Sequence, residues 1–157
     1  MENFYRLIKE ANSAFSTADH LTYVTYPLLK EVKLSIIVVE NLHSAVTKAM
    51  DAILYYDRMY KRINPIQDNF DAKIGVFRNS CARRYQIDEK HINLIKELRN
   101  IVSSHKESPM EFVRRDKFVI CSDSYSKIKT IDINKLKEYV ILTRLFIDKI
   151  NSIAKAV

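Results

Sequence analysis

Residues 39–62 read VENLHSAVTKAMDAILYYDRMYKR, and this stretch decides the fold. Its apolar positions Val39, Leu42, Val46, Ala49, Ile53, Tyr56 and Tyr60 recur at alternating steps of three and four. At about 100° per residue those steps keep one stripe on one side of a helix. The unbroken pattern predicts a long amphipathic helix ending around Arg62, with Asn64-Pro65 as the turn that follows. Upstream, Phe4, Ile8, Ala11, Phe15, Ala18 and Leu21 keep the same spacing and predict a first helix that ends or kinks near Tyr26, ahead of Pro27. Downstream, Ile66, Phe70, Ile74, Phe77 and Cys81 predict a third helix, with a break at Gln86-Ile87. Asp88 is a suitable N-cap for a fourth helix running to about Lys106.

After Ser108-Pro109 the period changes. Residues 111–114, 117–121 and 127–131 are short and rich in Val, Ile and Phe, with Arg115-Asp116 and residues 122–126 as turns. They predict a small β-hairpin or three-stranded flap. Asp132 then caps a final helix with Ile133, Leu136, Val140, Ile147, Ile150 and Ala154 on one face. The expected fold is all-α: one domain of about five helices, antiparallel because the connections are short, with the β-flap at about 111–131 before the last helix. A length of 157 residues suits a single domain. The chain holds one glycine, Gly75, where about 7% of residues is usual. That excludes phosphate-cradling loops, dinucleotide fingerprints and the tight hairpins that depend on glycine.

The net charge is +7, unevenly spread: residues 1–60 carry 6 basic and 7 acidic groups, residues 61–157 carry 20 and 12. A one-sided positive field favours a polyanion as partner, because each neutralised phosphate releases counterions. Residues 1–9 include Glu2, Arg6 and Lys9, so no secretion signal is expected there. The most apolar run, residues 34–39, falls far short of the ~20 needed to cross a bilayer. The expectation is a cytoplasmic protein that does not engage membranes. Cys81 and Cys121 stand far apart with no CxxC pattern, and are expected to be reduced, buried thiols.

No metal or other cofactor is expected. Glu40-Asn41-Leu42-His43 has the E-x-x-H spacing of di-iron bundles, with Asp88 and His91 as a second set. Glu40, however, falls about 160° from Leu42 and faces water, while Asp88 is better used as a cap. Ser103 and Ser104 beside His105 suggest a nucleophile and its base, but helical neighbours point apart and no elbow glycine is present. Tyr23, Tyr26, Tyr55, Tyr56 and Tyr60 suit either a dimer seam or core packing.

The fourth helix closes with Arg99-Asn100-Ile101-Val102-Ser103-Ser104-His105. Helical spacing sets His105 on the stripe of Leu94, Ile95, Leu98, Ile101 and Val102, with Arg99 on its flank about 100° from Leu98. A histidine at the mouth of a packed seam can exchange a proton with a bound group, and a neighbouring cation can meet a phosphate. Equally, His105 can bond the free carbonyls of its helix end while Arg99 lies on the surface over its own apolar stem.

Arg99, the polar Asn100 and His105, on the fourth helix of a small helical protein with one more long helix to follow, resemble the Arg, four to six residues, His motif of HEPN domains. The resemblance covers that motif and the bundle outline. It implies RNA binding and metal-independent endoribonuclease activity, with His105 as general base or phosphate ligand, Arg99 stabilising charge on phosphorus, and Asn100 supporting by hydrogen bonding. On that reading Arg83, Arg84, Lys106, Arg114, Arg115 and Lys117 track the RNA backbone, and Tyr85 or Phe112 stacks a base. Arg99 and His105 diverge by about 120° on a straight helix. A working pair therefore needs a kink at Ser103-Ser104, or a homodimer in which both residues face one shared basic groove. A protein antitoxin or an acidic protein is a further expected partner. The residues alone leave a second reading open, a non-catalytic helical interaction module whose basic half docks nucleic acid or an acidic protein.

Overall fold

The computed structural model describes residues 1–108, 110–121 and 127–157. Pro109 and residues 122–126, read from the sequence as a break and a turn, lie outside the described residues. Helix α1 covers residues 2–29, α2 is Leu34–Met59, α3 covers residues 70–85 and α4 is Glu89–Glu107. Strands β1 (Met110–Arg114), β2 (Lys117–Cys121) and β3 (Ile128–Ile131) precede α5 (Ile133–Ala156). Among the described residues the protein is thus mostly helical, with a small antiparallel sheet of order β1-β2-β3 set before the last helix.

The expected caps form. The Asp88 side chain accepts from the Lys90 N–H, and the Asp132 side chain accepts from the Lys135 N–H at 2.8 Å. Asn69 caps α3 in the same way through Ala72 N–H. Helix α1 neither stops nor breaks at Pro27. It widens into a π turn over Leu21–Thr25 and resumes as α-helix over Tyr26–Leu29. Proline has no N–H to give to the preceding turn, so a shift of register just before it lets the helix pass with few orphaned groups. A second π turn, Phe77–Cys81, lies inside α3.

Side-chain pairs fix the directions of the helices. Phe4 meets Tyr56 and Glu10 meets Lys48, so α1 and α2 are antiparallel. Asn12 pairs with Asn151 and Asp19 with Arg144, so α1 and α5 are antiparallel as well. His91 packs on Phe146 and Glu97 accepts from the Tyr139 hydroxyl, which makes α4 antiparallel to α5. The expectation of a wholly antiparallel bundle fails at α3. Lys73 meets Asp51 while Cys81, Arg84 and Tyr85 all meet Asp57, so α3 advances in the same sense as α2. The segment between Met59 and Phe70 carries the chain back along α2 before α3 begins, which a short-connection rule does not allow for.

The core is one hydrophobic cluster threaded through every helix, including Phe4, Leu42, Ile53, Phe77, Leu98 and Phe146. Tyr26 and Tyr56 belong to the buried set, whereas Tyr23, Tyr55 and Tyr60 stay exposed. Asp57 is fully buried where α2 meets α3. Its carboxylate accepts from the Tyr85 hydroxyl at 2.5 Å and the Cys81 thiol at 3.2 Å, and it pairs with Arg84. Burial, then the bond to Asp57, pushes the Tyr85 hydroxyl up to about 12, and the same causes push the Cys81 thiol up. Both cysteines are free and buried.

The exclusion of glycine-dependent hairpins is also corrected. Arg114 pairs with Lys117, leaving Arg115-Asp116 as a two-residue turn in which Arg115 takes φ 58°. Lys30, Lys61 and Gln86 occupy left-handed positions too, while Gly75 sits inside α3. The left-handed region costs an ordinary side chain only a kcal/mol or two, which neighbouring pairing can outweigh.

Strand alternation gives the sheet two dissimilar faces. Phe118, Ile120 and Ile131 point into the core cluster. Met110, Phe112, Arg114, Lys117, Val119 and Ile128 share the other, outward face by register. No helix among the described residues is long and apolar enough to cross a membrane.

Candidate functional site

The last turns of α4 present three flanks. His105 turns towards the sheet, where its Nδ1 lies 2.7 Å from Oε2 of Glu111 on β1. Both side chains are partly buried, and Glu111 is on the sheet's inward face by alternation with Phe112. A carboxylate held on Nδ1 fixes the ring orientation and leaves Nε2 as the nitrogen free for proton transfer.

Arg99 lies on the opposite flank. Its guanidinium stacks over the Phe70 ring at 4.9 Å from the centroid, a cation–π contact with the start of α3. Seven residues on, Lys106 shares that flank, and both cations act on His43 of α2. Burial first, then the charges of Arg99 and Lys106, lower the His43 ring to about 4, so it is neutral at ordinary pH. Its Nε2 is buried without a hydrogen-bond partner among the described residues. Within one chain, Arg99 is therefore brought to Phe70 and His43, not to His105.

Asn100 occupies the third flank, and it also borders a hollow with Arg99, Phe70 and Ser103. With Ser104 and Glu107 it borders a cleft of about 320 Å³ whose far wall is Ile120, Lys127 and Lys129 of the sheet. No trio of His, Cys, Asp or Glu among the described residues is grouped to hold a metal ion.

The outward face of the sheet is the other candidate surface. Phe112 is 41% exposed and Ile128 62% exposed. Together with Val119 they border a hollow of about 460 Å³ ringed by Arg114, Arg115 and Lys117. Asp116 adds one opposing charge. An accessible aromatic ring set among cations is the composition of a base-stacking platform with phosphate contacts. Arg83 is exposed on α3 beside a separate hollow with Arg78 and Gln86. Arg84 and Tyr85 are instead committed to Asp57.

Two partners escape a reading of the motif alone. Glu111 is the residue that engages His105, and the available signal is its place on the inward face of a strand, where a charge is unusual. His43 was visible only as half of a rejected metal pattern, yet it is a histidine on which the Arg99 charge acts. Comparison with known protein families, with curated proteins and with solved structures finds no match.

Proposed function

We propose that the chain is a cytoplasmic RNA-binding protein that lays a single strand across the outward face of its sheet. The observation behind this reading is Phe112, an exposed ring on an apolar strand face, with Arg114, Arg115 and Lys117 around the same hollow. Stacking tolerates any base, and three cations at one end of the face supply phosphate contacts. The test is fluorescence polarisation with a labelled single-stranded RNA. Phe112→Ala removes a stack worth about 1–3 kcal/mol, a loss of roughly fivefold to a hundredfold in affinity. The double change Arg114→Glu, Arg115→Glu abolishes binding at moderate salt, with the circular dichroism spectrum unchanged. Affinity indifferent to both variants overturns the reading.

The HEPN-like, metal-independent endoribonuclease reading keeps one supporting observation, the His105–Glu111 pair. On this reading His105 Nε2 takes the proton of a ribose 2′-hydroxyl and Glu111 steadies the resulting imidazolium. Arg99, on the other flank of α4, is supplied by a second copy across a two-fold axis, with Asn100 assisting. RNA cleavage in the presence of a chelator, lost in His105→Ala and Arg99→Ala and reduced in Glu111→Gln, supports it. RNA binding with no cleavage, unchanged in those variants, leaves the non-catalytic module.

A further inference from the structure

The cleft between α4 and the sheet is separate from the outward face and carries its own chemistry. The β2–β3 register sets Lys129 opposite Ile120, while Lys127 lies beyond the Ile128–Cys121 pair. The cleft therefore has two ends. At one end Lys129 faces the flank of Asn100 and Ser104, and at the other Lys127 and Glu107 lie near Ser108.

Among the described residues the side chains of Asn100, Ser104, Glu107 and Lys129 have no hydrogen-bond partner within the chain, although they converge on one hollow. Burial, aided by Lys127 and opposed by Glu97, lowers the pKa of the Lys129 ammonium. An anion in the cleft relieves that cost, since a partly desolvated cation gains most from a charged acceptor.

We propose that this cleft is a mononucleotide site, with the phosphate monoester held by Lys129, the Asn100 amide and the Ser104 hydroxyl. Glu107, an acceptor on the same flank of α4, meets ring and exocyclic N–H donors, as guanine presents side by side. A volume of about 320 Å³ lies within the range of pockets that enclose small ligands. The ligand is either a free nucleotide or the 5′-phosphorylated end of an RNA strand, both offering the same phosphate monoester.

The experiment is isothermal titration of the whole chain with GMP, with guanosine and with inorganic phosphate, alongside amide chemical-shift mapping by NMR. GMP is expected to bind at least about tenfold more tightly than either fragment, with shifts centred on Ser104, Ile120 and Lys129. Lys129→Gln weakens GMP by about tenfold or more, as loss of a charge-assisted contact does. Arg114→Glu with Arg115→Glu leaves the GMP titration unchanged, so failure of the sheet-face reading and failure of this one are told apart. Single-stranded RNA with and without a 5′-phosphate separates the two sources. If the phosphate strengthens binding of wild type but not of Lys129→Gln, the strand end is the ligand; if it has no effect while GMP binds, the ligand is the free nucleotide. GMP binding no better than guanosine, shifts confined to the outward face, or no binding at millimolar concentration overturns the proposal.

Discussion

Single residues carry two opposed conformational and ionic costs. His43 is neutral in the folded chain because burial and the nearby cations lower it from 6.5 to about 4. Above pH 6.5 the ring is neutral folded or unfolded, and it adds nothing to the pH dependence. Between about 6.5 and 4 the unfolded chain takes up a proton that the folded chain refuses, so stability falls as pH falls. After allowance for partial solvent access, the loss is on the order of 2 kcal/mol by pH 4. His91, lowered by its own burial, acts in the same direction. Urea denaturation at pH 7 and at pH 4.5 is expected to give a shallower loss for His43→Leu than for wild type; an equal loss contradicts the neutral assignment. Glycine usage gives a second residue-level prediction. Gly75 lies in a helix with nothing within 4 Å of where a Cβ would stand, while Lys30 ends α1 at φ 52°. Gly75→Ala and Lys30→Gly should each stabilise by about 0.5–1 kcal/mol, measured as urea midpoints, and their effects should add.

At the scale of elements, capping ties sequence to stability most directly. Asp132 starts α5, whose residues Leu136, Val140, Phe146 and Ile150 complete the core. Asp132→Ala is expected to cost about 1 kcal/mol in a urea titration, the usual loss of an N-cap, with no change in the slope of the transition. The elements were legible where local physics decides them. The three-and-four rhythm of Val39 to Tyr60, the caps at Asp88 and Asp132, and the switch to short β-rich runs after Ser108 all appear in the structure. The direction of α3 was not legible, because it depends on the path taken after Met59 and on a buried Asp57 that gathers Cys81, Arg84 and Tyr85. The π turns in α1 and α3 answer to tertiary fit, with Pro27 alone hinting at the first. The separation of Arg99 from His105 was readable from the helical angle, but the identity of their actual neighbours, Phe70, His43 and Glu111, required the packed structure.

For the whole molecule, part of the positive excess after residue 60 lies as Arg114, Arg115 and Lys117, opposed by Asp116, around one apolar face. If three cations each displace one counterion from single-stranded RNA, log K against log salt should fall with a slope of about −2. Polarisation titrations at several salt concentrations read this directly, and a flat line excludes an electrostatic footprint. The same face has a colloidal consequence. Among the described residues strand β1 pairs on one side only, and Met110 and Phe112 lie exposed along it. An open edge beside exposed apolar side chains invites another edge, and like charge at the hairpin tip is what keeps two such edges apart. Salt that screens charge therefore also removes that repulsion. Light scattering of nucleic-acid-free protein should record an apparent mass that climbs with sodium chloride, so the conditions that purify the molecule are those under which it begins to associate with itself.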